Sequence, residues 1–137
     1  MKIVDYEPSH LDDVEPGRIE RGSPHLEAFR AALESHGGPA YSLADGGEIL
    51  GCAGILESGG EGWTWVWLSD QARTRPVGLT RAIRALSRRH AADYEALYGM
   101  VRKGLESEAR WLRLCGYRDD GTMKLPDADY MRFRYGH

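Results

Sequence analysis

The chain has 137 residues, 42% hydrophobic and 28% charged, with two cysteines and a net charge of −3. Those figures fit one soluble globular domain with enough chain for a core without disulfide staples, and they argue against a disordered chain. No apolar run approaches the roughly 20 residues that span a bilayer, and Met1-Lys2-Ile3-Val4-Asp5 lacks an apolar signal region, so a cytoplasmic protein is expected.

Lys2 to Tyr6 reads as a first strand ended by Pro8, and Ser9 to Val14 as a short helix with two acids in its first turn. Pro16-Gly17 breaks that helix. Ser23-Pro24 then supplies an N-cap and a first-turn proline for an amphipathic helix marked by Leu26, Phe29, Arg30 and Leu33 and stopped at His36-Gly37-Gly38. Ala40 to Ala44 and Glu48 to Leu56 flank Asp45-Gly46-Gly47, a hairpin signal. The second of these runs, Ile49 to Leu56, is apolar on both faces and belongs inside a sheet. Glu57 to Gly62 turns the chain into a strand in which Trp63, Trp65 and Trp67 alternate with Thr64, Val66 and Leu68.

After that strand the charge segregates. Between Gln71 and Ala92 stand six arginines (73, 75, 81, 84, 88 and 89) and no acid, so the remaining residues carry −9. Leu79, Ile83, Leu86 and His90 fall on one side of a helix running to Tyr94. A strand entering a basic helix through Arg75-Pro76-Val77-Gly78 is the kind of turn that holds a phosphate, since the first helical amides point outward and arginine supplies countercharge. A nucleic-acid partner is not expected, because no basic and aromatic residues interleave on an exposed strand. Ala96 to Val101 reads as a further strand. Ser107-Glu108 opens a helix with Ala109, Trp111, Leu112 and Cys115, stopped by Gly116. Thr122 to Leu125 and Tyr130 to Tyr135 give one or two closing strands, as compatible with strand exchange in a homodimer as with a hairpin. The two cysteines, Cys52 and Cys115, read as buried free thiols, and no set of ligands has metal spacing.

The resulting order β-α-α-β-β-β-α-β-α-β is an α/β (α+β) domain, residues 1–137, with helices on both faces of a mixed central sheet and a parallel pair at its middle. Over nearly its whole length the chain resembles the GNAT superfamily of acyl-CoA-dependent N-acetyltransferases, and within it the short acetyltransferase-like proteins of tailed bacteriophages. The resemblance rests on Trp67-Leu68-Ser69-Asp70-Gln71, on the helix that follows, and on Glu108-Ala109-Arg110-Trp111-Leu112-Arg113-Leu114-Cys115-Gly116-Tyr117. It implies acetyl-CoA as co-substrate and an amine as acceptor. It also implies a pyrophosphate-binding turn, Arg/Gln-x-x-Gly-x-Gly/Ala, which Arg75-Pro76-Val77-Gly78-Leu79-Thr80 matches except at Thr80.

Trp67, Leu68, Ser69, Arg73, Arg75, Val77, Gly78, Leu79, Thr80 and Arg81 are therefore the expected cofactor-binding residues. For catalysis the resemblance implies a tyrosine in the closing helix, but that place holds Leu112, and the place of a frequent asparagine holds Leu105. Tyr98 and Tyr117 are the substitute acids. Glu57, Glu61 and Asp70 are the carboxylates available to take a proton from the amine. His90 reads as a core histidine, with His10, His25 and His36 at helix ends. The departures also admit a catalytically inactive phage protein acting in the virion, in assembly or on a host protein.

Overall fold

In the computed structural model, residues 1–14 and 26–136 are described, so the expected break at Pro16-Gly17, the Ser23-Pro24 cap and His25 lie outside the described residues. The elements are β1 (Lys2–Asp5), α1 (His10–Asp13), α2 (Leu26–His36), β2 (Gly37–Asp45), β3 (Glu48–Ser58), β4 (Glu61–Leu68), α3 (Asp70–Arg73), α4 (Pro76–His90), β5 (Leu97–Arg102), α5 (Glu106–Leu114), β6 (Tyr117–Lys124) and β7 (Asp129–Tyr135). The expected order holds, with two additions. A one-turn helix, α3, forms before the basic helix, and the tail makes two strands. Those strands, β6 and β7, pair with each other as a closing hairpin within the chain.

One seven-stranded sheet runs β1-β2-β3-β4-β5-β7-β6, antiparallel throughout except for β4 and β5. Two hairpins set the register of its first half. Gly46 and Gly47 (φ 60° and 84°) and Gly59 and Gly60 (φ 57° and 85°) take the paired positive φ that a two-residue type I′ turn demands. Gly54 has a packing role instead: a Cβ there would lie 2.5 Å from the Pro39 carbonyl oxygen and 2.9 Å from the Trp65 ring.

The sheet separates two cores, because successive side chains along a strand point to opposite faces. Leu68 and Val66 of β4 join Leu79, Ile83 and Leu86 of α4 and Ala109 and Leu112 of α5 on one face. Trp65 and Trp67 join Cys52, Leu11 and Val14 on the other, with Leu33 of α2 packed alongside. The tryptophans therefore divide by depth. Trp65 and Trp67 are each 8% exposed and fill the core, whereas Trp63 is half-buried and stacks on Tyr98 of β5 (centroids 4.9 Å apart, planes 32° apart). His90 is buried as expected, with Nε2 2.9 Å from the Tyr41 hydroxyl and Nδ1 3.2 Å from an Asp93 carboxylate oxygen. Both cysteines are buried and unbridged, and burial pushes the Cys115 thiol up to about 12.

Candidate active site

The parallel pair is the site's frame, and its pairing is short. Along β3, β4 is bonded over its whole length, from Ser58↔Glu61 to Gly51↔Leu68. Along β5 it pairs only at Gly62↔Leu97 and Trp63↔Tyr98. Beyond Trp63 the two strands part, and among the described residues no strand pairs with β4 on that side from Thr64 to Leu68. A strand edge of free N–H and C=O groups offers hydrogen bonds to any extended polar chain laid in the gap.

Each face of the gap's apex carries a tyrosine. Tyr117, from the start of β6, is 1% exposed, and its hydroxyl lies 2.7 Å from Thr64 Oγ1 of β4 and 2.8 Å from Ser87 Oγ of α4. With one proton, it donates to one hydroxyl and accepts from the other. Burial pushes its pKa up to about 12, against the smaller lowering effect of those two hydrogen bonds. Such a group keeps its proton at neutral pH, so it can donate to a developing anion but cannot act as a base. Tyr98 lies on the opposite face between the Trp63 ring and the Arg132 guanidinium, the latter 5.1 Å from its centroid.

The gap leads to the start of α4. Ser69 ends β4 by accepting from Ala72 N at 3.1 Å and donating to the Leu50 carbonyl at 2.7 Å, which fixes α3. The cap of that turn is therefore Ser69, and Asp70 is exposed in its first turn. α4 begins without a cap: Arg75 makes no side-chain bond to it, Pro76 occupies the first position, and its first turn holds no acid. The amides of Val77 and Gly78 precede the first intrahelical donor, Leu79 N, which bonds the Arg75 carbonyl at 3.0 Å. Two outward amides at an acid-free helix start make a seat for an anion.

The side chains around that seat are less free than expected. Arg73 donates to Glu108 of α5 at 2.7 Å in a largely covered pair. Arg75 is paired with Asp45 at the end of β2, where both groups are well exposed. The Thr80 hydroxyl accepts from Trp111 Nε1 at 3.0 Å, so it ties α5 to α4. Met1 stands over Gly78, its Cβ 3.3 Å from where a Gly78 Cβ would be. Arg81 is exposed and, among the described residues, has no carboxylate partner. It lies one turn after the 70% exposed Val77, and helical side chains lean toward the N-terminus, over the seat. Leu68 and Leu79 are buried in the core, as is Trp67, so only their backbone is available to a cofactor.

The carboxylates do not converge. Glu57 stands opposite Gly62 at the start of β4, and Asp70 follows its end, about 20 Å away at the usual strand rise. Glu57 accepts a hydrogen bond from Tyr94, whose pKa burial and that carboxylate push up to about 12. Glu61 shares the face of β4 that carries Trp63. Leu112, at the place where the resemblance implies a tyrosine, packs on Gly99 of β5, where a Cβ would come within 3.0 Å of it. The Thr64–Tyr117–Ser87 bridge was not legible in the sequence, since its members are 53 and 30 residues apart. Among the described residues no cluster of three or more His, Cys, Asp or Glu is placed to hold a metal ion.

No protein-family model matches the chain, and no curated protein sequence matches it. Solved structures do. A ribosomal-protein-alanine N-acetyltransferase from Brucella melitensis is similar over 100% of both chains, with a TM-score of 0.74 at 13% identity. Ard1 from Thermoplasma volcanium gives 0.73 at 14% identity, over 99% of this chain and 98% of that one. A GNAT family acetyltransferase from Elizabethkingia anophelis, solved with acetyl-CoA bound, gives 0.70 at 12% identity, over 99% and 97%. Each likeness covers 99% or more of this chain, and the chain therefore has the fold of the GNAT acetyltransferases.

Proposed function

We propose that the protein transfers an acetyl group from acetyl-CoA to an amine. The observation that supports this reading is the edge of β4 that parts from β5 beyond Trp63, leading to a helix start with no side-chain cap and no acid in its first turn. In this reading the amide-bearing arm of the cofactor lies along that edge, and the Val77 and Gly78 amides with Arg81 meet its pyrophosphate. Arg75 joins them by exchanging Asp45 for the diphosphate, since an exposed ion pair is worth only about 0–1 kcal/mol. Arg73 stays with Glu108 and braces the turn. The amine attacks the thioester carbonyl, polarised by β4 backbone N–H groups. In this reading Glu61, on the same face of β4 as Trp63, takes the amine's proton through water, and the Tyr117 hydroxyl steadies the departing thiolate. The phage or prophage origin belongs to the same proposal and rests on the short motifs alone.

Calorimetry with acetyl-CoA, followed by thiol release over a panel of amines, tests this reading. Micromolar binding with amine-dependent release is expected. Millimolar or absent binding, with no release, defeats it.

A second reading has its own support. The pairing of Arg73 and Arg75 with carboxylates, Met1 over Gly78 and Leu112 in place of a tyrosine favour a catalytically inactive GNAT-fold protein acting in a virion, in assembly or on a host protein. It predicts cofactor binding or none, and no thiol release with any amine.

A further inference from the structure

The open face of the second half of the sheet carries a basic surface that the cofactor site does not use. On β5, Tyr98, Met100 and Arg102 share one face. Directly opposite them on β7 stand Arg134, Arg132 and Tyr130. On β6, Arg118 faces Arg134. The sequence reading found no basic and aromatic alternation on an exposed strand, and the register corrects it. Alternate residues of β7 place Tyr130, Arg132 and Arg134 together on this face, because Met131, Phe133 and Tyr135 face the helices. Among the described residues no helix covers the face: α1 and α2 pack on β2 and β3, and α4 and α5 lie behind the sheet.

Its electrostatics are unresolved within the chain. Arg132 is paired with Asp120 at 3.0 Å. Arg102, Arg118 and Arg134 are exposed and have no carboxylate partner among the described residues. Arg118 and Arg134 are directly opposed across two strands, with Cβ atoms about 5 Å apart, an arrangement of like charges that destabilises a sheet. Asp120 pairs with Arg132 and Asp127 accepts from the Tyr130 hydroxyl, and among the described residues no carboxylate pairs with the other three arginines.

We propose that this face docks an acidic polypeptide segment and, resting on the acetyl-transfer reading above, that the segment carries the accepting amine. Carboxylates on alternate residues of an extended chain are about 7 Å apart, the spacing of Arg132 and Arg134 on β7. Each guanidinium presents a fork suited to a carboxylate. A nucleic-acid strand fits less well, because the Tyr98 ring is already covered by Trp63 and Arg132 and offers no open surface to a base. The row Trp63, Tyr98, Arg134, Arg118 starts at the apex of the gap between β4 and β5. The other face of that apex is closed by the Tyr117 bridge and the core beneath α4 and α5. An acceptor therefore reaches the apex across the arginine-bearing face.

The test measures binding of three probes to the whole protein: a decapeptide alternating Glu and Ala with a free N-terminal amine, its Gln-for-Glu counterpart, and a single-stranded oligothymidylate. The Glu peptide is expected to bind at low salt and the Gln peptide at least tenfold more weakly. R118Q and R134Q should each weaken the Glu peptide about tenfold, the loss of one charge-assisted contact. Both variants should melt no lower than the parent, since each removes a repulsion, and both should bind acetyl-CoA as the parent does. Equal binding of the two peptides, indifference to both substitutions, or tighter binding of the oligonucleotide overturns the docking proposal. If the Glu peptide docks but acetyl-CoA neither binds nor loses its acetyl group, the transferase reading fails and the docking site stands. If uncharged amines are acetylated as well as the Glu peptide, and equally by R134Q, the acceptor assignment fails while the transferase reading stands.

Discussion

Replacing Tyr117 by Phe isolates the hydroxyl that joins β4 to α4 at the apex of the gap. The ring is 1% exposed, and phenylalanine fills the same space, so the change removes only the bonds to Thr64 (2.7 Å) and Ser87 (2.8 Å). Ser87, within α4, can turn back to a helical carbonyl, and Thr64 is half-buried, so part of the loss is recovered. A net cost of about 2 kcal/mol follows from two hydrogen bonds partly replaced. With an unfolding entropy of about 2.1 cal/mol/K per residue over 137 residues, the melting temperature at pH 7 should fall by about 7 °C.

The pH dependence gives a second signature. The folded-state pKa of about 12 lies above the ordinary tyrosine value of 10.0. The stabilisation is therefore complete below pH 10, where both states keep the proton, and is lost as pH rises toward 12 while the unfolded chain ionises first. That interval corresponds to roughly 3 kcal/mol of alkaline destabilisation. Y117F should lose the Tyr117 share of the slope between pH 10 and 12, while the Tyr94 share in the same window and the Cys115 share, which begins near the ordinary thiol value of 9.0, stay. Urea melts followed by circular dichroism from pH 8 to 12 measure both effects. A variant that melts within 1 °C of the parent at pH 7 and keeps the full alkaline slope would refute the buried bridge. If Tyr117 also steadies the thiolate, thiol release per bound cofactor falls by about tenfold or more in Y117F.

Three further outcomes follow from named contacts. Removing the Asp45 charge (D45N) frees Arg75, so acetyl-CoA should bind about three- to tenfold tighter by calorimetry with the melt almost unmoved; no gain would remove Arg75 from the phosphate site. E108Q breaks a largely covered pair and should cost about 2 kcal/mol in a denaturant melt, and a loss below 0.5 kcal/mol would show that Arg73 does not anchor α5. G54A drives a methyl group against the Pro39 carbonyl and should cost about 1–3 kcal/mol, whereas an unchanged urea midpoint would mean that β2 and β3 are less closely apposed.

Local chemistry made much of this fold legible in the chain. Paired glycines fixed two hairpins, the alternation of tryptophans marked β4, and the spacing of Leu79, Ile83, Leu86 and His90 drew the buried face of α4. Such signals act between neighbours, which is why the elements emerged in order. The first closing strand was less plain, because Tyr117 to Lys124 is mostly exposed and carries Asp119, Asp120 and Gly121 at its bulge. The site residues were legible by type more than by role. Arg73, Arg75 and Thr80 stood out as phosphate contacts because nothing in sequence links them to Glu108, Asp45 and Trp111, 35, 30 and 31 residues away.

What the sequence determined by itself was the set of elements, the sidedness of each and the concentration of positive charge after β4. The tertiary structure alone decided that β4 and β5 part after one tryptophan, that a tyrosine from β6 closes one side of the apex, and that four arginines gather on the other half of the sheet. Register is the reason. A shift of one residue in any ladder would carry those side chains to the opposite face, and register is set by packing between segments far apart in the chain.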